Sequence, residues 1–439
     1  MKHKSNLNGK DVYVVDGSRT PFLKAKEVGP FSGSDLAVAA GLPLLNRQPF
    51  SPKELDEVII GSAMPGPDEA NIARVTALRL GCGEKVPAFT VMRNCASGMQ
   101  ALDNAAMQIA SGRSHLILAG GTDAMSHAPL LFNQKMAAWL AKWYAAKTFR
   151  QRAGLIAEFR PSYLAPVVAL LRGLTDPIVG LNMGQTAEKL AFKFNITREQ
   201  MDEYACESHR RLAEAFQEGR MQEVVPMIDA KGTLYLKDDG IREDSTVEKL
   251  AKLKPFFDKK YGMVTAGNSS QITDGACLLL LASAEAVKKY KLPVMGKIVD
   301  SQWAALDPAQ MGLGPVHAAT PIMERQHLKP QDFDCWEINE AFAAQVLACL
   351  AAWDDDEYCR TQLGLKQAMG APSRAVLNKD GGAIAAGHPI GASGARIVLH
   401  VLQDLQQRNG TRGMAAICIG GGQGGAMFLE RTTEVKGHE

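Results

Sequence analysis

The sequence has no excess of charge of either sign: 49 basic residues stand against 47 acidic ones, a formal +2. Such a chain has no global field for nucleic acid or an acidic surface, and nucleic-acid binding is not expected. It also lacks any Cys-x-x-Cys pair. Its eight cysteines, at 82, 95, 206, 277, 335, 349, 359 and 418, are scattered through the chain. That usage suits reduced thiols in a cytoplasmic protein and excludes a disulfide framework or a zinc site, so no metal is expected. No apolar segment follows the positively charged stretch Met1 to Lys10, so neither a secretory signal nor a transit peptide is expected. No long apolar run predicts a membrane span, and no composition bias predicts disorder. With 46% apolar residues, 22% charged and 41 glycines, the chain reads as globular, and 439 residues predict two or three units with their own cores.

Alternating strand and helix patterns open the chain. Val12-Tyr13-Val14-Val15 and Val58-Ile59-Ile60 read as strands, with an apolar-periodic stretch between them from near Asp35, which predicts an α/β fold with parallel strands. Asn94 is expected to cap a helix bearing Met99, Leu102, Ala106 and Ile109 on one face and ending before Gly112; the strand Leu116 to Ala119 follows. The C-terminal part repeats this plan. Pro52 to Asp56 is echoed by Pro330 to Asp334, and Val91-Met92 ahead of Cys95 by Val376-Leu377 ahead of His388. A helix with Val398, Val401, Leu402 and Leu405 on one face then leads to the strand Ala415 to Cys418 and to Gly420-Gly421-Gly422. A duplicated α/β unit is expected. Residues 126–256, rich in charged and helix-forming residues, read as an inserted loop domain before Val264 and Leu278 to Leu281 resume the sheet pattern. The expected division is 1–125 with 257–297, the insert 126–256, and 298–439.

Three places carry reactive side chains among small residues. Cys95, in Arg93-Asn94-Cys95-Ala96-Ser97-Gly98, stands at a predicted helix start, where the dipole would lower its pKa and favour the thiolate; the alternative is a buried structural cysteine. His388 lies in a loop where Gly387 and Gly391 keep bulk away and Pro389 fixes the backbone, as a presented base requires. Cys418 precedes Gly420, Gly422 and Gly425, which formally satisfy a dinucleotide fingerprint. Too little chain follows Gly425 for the helix, strand and acidic residue that fingerprint needs, and exposed N–H groups after a strand suit an oxyanion hole instead. Glu337-Ile-Asn339-Glu340 ends a predicted strand, where Asn339 or Glu340 could serve simply as a helix cap.

At these residues the chain resembles the thiolase family. Asn94-Cys95-Ala96-Ser97-Gly98 resembles the acyl-cysteine motif, Asn339-Glu340-Ala341-Phe342-Ala343 the asparagine motif, Gly387-His388-Pro389 the histidine motif, and Cys418-Ile419-Gly420-Gly421-Gly422 the second-cysteine motif, in family order. The resemblance implies a duplicated five-layered α/β/α/β/α core with a loop domain inserted in the first half. It implies that Cys95 carries the acyl group, His388 takes its proton, and Cys418 moves a proton at the α-carbon of the second acyl-CoA. Backbone N–H groups of Cys95 and Gly420 would hold one oxyanion, and His388 with a water on Asn339 the other. Coenzyme A thioesters would be substrates, with no permanently bound cofactor, and Ser270, Met183 and Arg242 fall where the family contacts coenzyme A. A homodimer or tetramer is implied.

Two stretches, about 130 to 180 and about 350 to 375, exceed the shorter family members and resemble the thiolase subunits of fatty-acid-oxidation complexes, although those relatives can carry histidine at the position of Asn339. This implies a partner subunit and a place peripheral to the inner membrane face. Residues 131–172 hold Lys135, Lys142, Lys147, Arg150, Arg152, Arg160 and Arg172 against Glu158 alone, and Met136, Trp139, Leu140 and Trp143 share a helical face. That face is expected either to dock on an anionic membrane or acidic partner, or to pack on the core. Rival readings are a ketosynthase of the same superfamily, which would carry histidine in place of Cys418, and a docking scaffold with vestigial activity.

Overall fold

The computed structural model of the protein describes residues 6, 7 and 9–432, so most of the stretch on which the leader expectation rests, like residues 433–439, lies outside the described residues. Nine strands form the frame: β1 (Val12–Arg19), β2 (Glu57–Gly61), β3 (Ala88–Val91), β4 (Leu116–Ala124), β5 (Thr273–Ala282), β6 (Gly296–Ala305), β7 (Cys335–Ile338), β8 (Arg412–Ile419) and β9 (Gln423–Glu430). They lie in the order β7-β8-β9-β6-β1-β5-β4-β2-β3, and the short Leu23–Lys24 joins β5. The duplication is visible in this order. In one half β1, β5 and β4 are antiparallel in turn and β4, β2 and β3 parallel. In the other β6, β9 and β8 are antiparallel, β8 and β7 parallel, and a parallel bridge from Trp336 to Leu377 stands where β3 would. Pro52–Glu54 and Pro330–Asp332, matched in sequence, are both short 3-10 turns. The halves join along β1 and β6 over Val12–Ile298, Tyr13–Lys297 and Val14–Gly296.

Helices α1 (Gly33–Asn46), α2 (Ile72–Arg79), α3 (Ser97–Ala110), α4 (Gln134–Ala145), α5 (Phe149–Glu158), α6 (Met183–Lys193), α7 (Arg198–Gln217), α8 (Gly314–Gln326), α9 (Ala343–Asp354), α10 (Asp356–Leu363) and α11 (Ile390–Gln407) complete the layers. Strand alternation decides who meets whom. On β1, Val12 and Val14 face a central core shared with α3 and α11, while Tyr13 and Val15 face the core under α1 and α2. On β5, Cys277, Leu279 and Leu281 point to the central core and Leu278 and Leu280 outward, so a strand covered on both faces reads as a continuous apolar run. Helices α8 and α9 pack on the far face of the second half. The result is the expected five layers with α3 and α11 in the middle. Each fully buried Leu, Ile or Met there contributes roughly 1.5–3 kcal/mol before the entropy of ordering is charged against it.

The insertion is longer than expected. The first half resumes at Thr273, the start of β5, rather than at 257, because 257–272 still packs on the insert: the Met263 and Val264 amides donate to Glu188 of α6, and Asn268 donates to Asp202 of α7 at 2.9 Å. Val264 is therefore not in a strand, and the second half begins with β6 at Gly296, not at 298. The second long stretch folds as α10, whose Tyr358 hydroxyl meets His317 at 2.8 Å.

The aromatic stripe of α4 needs a further correction. It neither faces outward nor enters a main core, because it packs on α5. Trp139 donates its indole N–H to the Leu155 carbonyl at 2.9 Å, stacks on Trp143 with centroids 5.3 Å apart, and meets Phe159 edge-on; Met136 and Leu155 are buried. What this small unit exposes is a different set: Leu130, Leu131, Phe132, Ile156, Leu164, Tyr144 at 83% and Phe149 at 88%. Among the described residues no helix is long and apolar enough to cross a membrane.

Candidate active site

The first turns of α3 and α11 touch backbone to backbone, and glycine permits it. A Cβ on Gly98 would lie 2.7 Å from the Gly391 carbonyl, and one on Gly394 2.7 Å from the Met99 amide. This contact draws together the turn carrying Cys95, just ahead of α3, and the loop carrying His388, just ahead of α11. Asp123, at the end of β4, anchors the α11 side: it accepts from the Gly391 amide at 2.6 Å as well as from the Ser62 hydroxyl at 2.7 Å and the Met64 amide at 3.0 Å. A cavity of about 340 Å³ adjoins this anchor, lined by Ser62, Met64, Glu69, Ile72 and His127, and shares Asp123 with it but none of the thiols.

Two corrections concern Cys95. Helix α3 starts at Ser97 after Ala96, so Asn94 is not its cap; Asn94 is left-handed, with φ 43°, and its carbonyl accepts from the Ser97 amide. Nor is the Cys95 thiol lowered in pKa. Burial pushes it up, and the nearby Gly420 and Cys95 backbone amides only partly oppose that. The other half of the molecule meets this turn directly: the Gly420 carbonyl accepts from Nδ2 of Asn94, the residue before Cys95, at 2.9 Å.

His388 is buried, and its amide donates to the Gln271 carbonyl at 3.0 Å. Its Nδ1 lies 2.6 Å from Ser393 Oγ, and that hydroxyl donates to the Pro389 carbonyl at 3.0 Å. The serine proton is thereby committed, so Nδ1 carries a proton and Nε2 a lone pair. Nε2 has no protein partner among the described residues. Burial, then the nearby Arg396 charge, lowers His388 to about 4, which keeps the imidazole neutral above that pH. Cys418, on β8 and 1% exposed, is pushed well above the usual thiol range by burial and then by the proximity of Cys95.

Asn339 follows β7, extends its ladder through a 2.9 Å bond to the Ala416 carbonyl, and is fully buried; neither amide atom has a protein partner among the described residues. It is no cap, and neither is Glu340, since α9 starts at Ala343 after Phe342. Glu340 accepts instead from Tyr204, Asn378, Ser208 and the Ile384 amide, at 2.7 to 3.1 Å. It ties α7 of the insert to the segment leading to His388. Sequence reading missed Glu340 and Ser393 as supports. A serine one helical turn beyond the histidine was the available signal for Ser393; Glu340 had none, because its partners are distant in sequence.

Of the other expected residues, Met183 opens α6 with its sulfur 3.1 Å from where a Cβ on Gly420 would stand. Ser270 is half-buried beside the Asn339 loop, donating its amide to the Ala341 carbonyl at 3.0 Å, and precedes Gln271, which holds His388. Arg242 is exposed and lies just past Gly240, whose carbonyl accepts from Gln271 Nε2 at 2.9 Å. The Arg242 amide bonds His209 at 3.2 Å, and its charge with that of Lys24 adds to the burial that lowers His209 to about 4. The structure thus gathers Cys95, Cys418, Gly420 and Met183 in one place, with His388, Asn339 and Ser270 joined through the 268–273 and 339–343 segments. No metal-ligand cluster occurs among the described residues.

Comparison with known proteins points the same way. The family descriptions "Thiolase, N-terminal domain" and "Thiolase, C-terminal domain" match residues 12–285 and 292–431. The chain is 38% identical over 429 residues to the mitochondrial trifunctional enzyme subunit beta of Homo sapiens, covering 96% of this chain and 89% of that protein. It is 36% identical over 428 residues to a 3-ketoacyl-CoA thiolase of Yersinia pestis, covering 96% and 97%. Among solved structures, Bacillus anthracis acetyl-CoA acetyltransferase aligns with TM-score 0.83 and 35% identity over 97% of this chain and all of that one. Human mitochondrial 3-ketoacyl-CoA thiolase in complex with CoA aligns with TM-score 0.83 and 34% identity over 98% of this chain and all of that one.

Proposed function

Because the chain belongs to the thiolase family and is an acyltransferase of that kind, we propose that it cleaves and forms 3-oxoacyl-CoA thioesters in fatty-acid β-oxidation through an acyl group on Cys95. The meeting of the two halves at this point carries this reading: Asn94, next to Cys95, donates from Nδ2 to the Gly420 carbonyl at 2.9 Å and so sets the glycine turn after Cys418 against the Cys95 turn. Donors fixed there act on the oxygen of a tetrahedral intermediate, where charge develops, and outright loss of such a donor typically costs ~10²–10³-fold in rate.

In the cleaving direction Cys95 attacks the 3-oxo carbon while His388 Nε2, free and neutral, takes the thiol proton. The bond between C2 and C3 breaks, leaving the acyl group on sulfur and an acetyl-CoA enolate. His388, now protonated, and a water on Asn339 face the enolate oxygen, and Cys418 delivers the proton to C2. A thiol held well above its usual pKa keeps its proton until a carbanion forms beside it, as this step needs. Coenzyme A then takes the acyl group from Cys95, and its thiol proton together with the one held on His388 restores the Cys95 and Cys418 thiols. Ser270 and Met183 line the thioester's approach, and Arg242, exposed farther out, meets its phosphates. The thiol at 418 favours this chemistry over that of a ketosynthase. Incubation with an acyl-CoA followed by peptide mass spectrometry tests it: the acyl group is expected on Cys95, and its appearance on another cysteine overturns the assignment. Thiolysis of acetoacetyl-CoA beside 3-oxohexadecanoyl-CoA measures the chain-length preference and separates the enzyme from a vestigial scaffold.

We further propose a homodimer or tetramer in the cytoplasm, consistent with eight free cysteines, that pairs with a partner subunit and docks on an anionic membrane through residues 131–172. The exposed Leu131, Phe132, Tyr144 and Phe149 among basic side chains support docking, in place of the α4 stripe. Binding to anionic vesicles is expected to fall with salt; no binding at low salt refutes it.

A further inference from the structure

Asn94 does not cap α3, and its side chain reaches the other half of the molecule instead. Its Nδ2 donates to the Gly420 carbonyl at 2.9 Å. Its backbone is held firmly for this: the Asn94 carbonyl accepts from the Ser97 amide at 3.0 Å and from Ser97 Oγ at 2.7 Å, and that same hydroxyl accepts from the Arg93 amide at 2.9 Å. The φ of 43° is one that asparagine, almost alone among residues with a side chain, adopts readily. Arg93 adds a second tie, from its guanidinium to Gln423 Oε1 at 3.1 Å.

The turn at the receiving end needs such a hold. Gly420, Gly421 and Gly422 carry no side chains, and Gly421 and Gly422 have φ of 93° and 74°. The Gly422 carbonyl is bound by the Leu306 amide at 2.8 Å, which fixes the far end. At the near end the tie from the first half is the Asn94 amide on the Gly420 carbonyl, one residue from Cys95. Glycine peptides rotate at little cost, so an oxyanion donor built on glycine keeps its aim only if a neighbour holds it.

We propose that Asn94 is a positioning residue for the oxyanion hole: by holding the Gly420 carbonyl it keeps the Gly420 N–H aimed at the Cys95 reaction centre. This rests on the reading that Cys95 carries the acyl group. Asn94→Gly keeps the left-handed backbone and removes the amide. It is expected to slow single-turnover acylation of Cys95 by acyl-CoA about 10- to 100-fold, somewhat less than outright loss of an oxyanion donor, with little change in KM or Tm. Alkylation of Cys95 by iodoacetamide is expected to shift to higher pH, since its thiolate loses an aligned donor, and a merely structural residue would not move that profile. If Asn94→Gly does not fold, Asn94→Asp, which keeps the shape but cannot donate, decides by the same acylation measurement. Wild-type acylation rates and alkylation profile in the folded variant overturn the role. An absence of acyl group on Cys95 in the unaltered protein would sink the reading of Cys95 itself, a result distinct from acylation at Cys95 with unaffected variants.

Discussion

The two halves of the core place the same antiparallel pair at the same point of the sheet and join it in opposite ways. In the first half β4 and β5 close their ladder at Ala124–Asp274 with residues 125–272 between the strands; in the second β8 and β9 close at Ile419–Gln423 around three glycines. Loop-closure entropy grows only slowly with length, so one end of a strand pair can carry a whole insert with its own packing. The short turn is constrained for a different reason: its Gly420 carbonyl takes the Asn94 side chain of the first half at 2.9 Å, across the seam between halves. On the proposed mechanism, a duplicated fold thus supplies the nucleophile from one copy and much of its acid–base and oxyanion apparatus from the other.

The division of labour predicts unequal losses. Cys95→Ala, in the first half, is expected to lower turnover by ~10⁴–10⁶-fold, the scale of losing a covalent nucleophile. Cys418→Ser, in the second, should cost ~10²–10⁴-fold in carbon–carbon bond cleavage while Cys95 is still acylated. Single-turnover acylation read beside steady-state thiolysis separates the two, and equal loss of acylation in both variants would break the assignment.

The turn itself offers a sharper contrast with the insert. Alanine at Gly422 must accept φ 74° and place its Cβ 2.3 Å from the Leu306 carbonyl, whereas Gly232 in the insert has φ 83° with open space around it. Gly232→Ala should cost about 1–2 kcal/mol from backbone conformation alone, and Gly422→Ala clearly more, as measured by denaturant unfolding. Equal costs would mean that the tight turn is not the constrained element.

A smaller effect concerns pH. His388 stays neutral in the fold down to about pH 4, so kcat/KM should show no acid limb near pH 6.5 from this base. The unfolded chain, whose histidines protonate near 6.5, binds more protons in that interval. Stability is therefore fully present above about 6.5 and is lost as pH falls toward 4, by up to about 1.4 kcal/mol per pH unit from this group. Glu337 acts in the opposite sense: burial raises it to about 7 despite Arg396, so its contribution is lost as pH rises from the ordinary carboxylate range through about 7. An acid limb at 6.5 that disappears in a His388 variant would overturn the neutral-base geometry.

Much of this was legible in the chain itself. Strands buried on both faces appear as unbroken apolar runs, and the repeated Pro52 and Pro330 turns mark the duplication because each half needs the same entry to its parallel strand. The four motifs stood out because thiol, imidazole and amide chemistry requires small neighbours, and glycine at helix starts is a local property. The face chosen by the α4 stripe was not legible, since periodicity shows that a side is apolar but not that α5 will cover it. Asn94 looked like a cap because asparagine before a helix usually is one; its left-handed backbone and its partner on residue 420 exist only in the fold. The raised pKa of Cys95 and the lowered one of His388 follow from burial, and burial is set by the residues that close over a group. The sequence by itself determined the repeat, the strand and helix alternation and the reactive side chains, because these depend on local spacing and residue chemistry. The tertiary structure alone decided which proton each group holds and which backbone group each side chain meets, because those depend on desolvation and on contacts between residues as far apart as 94 and 420.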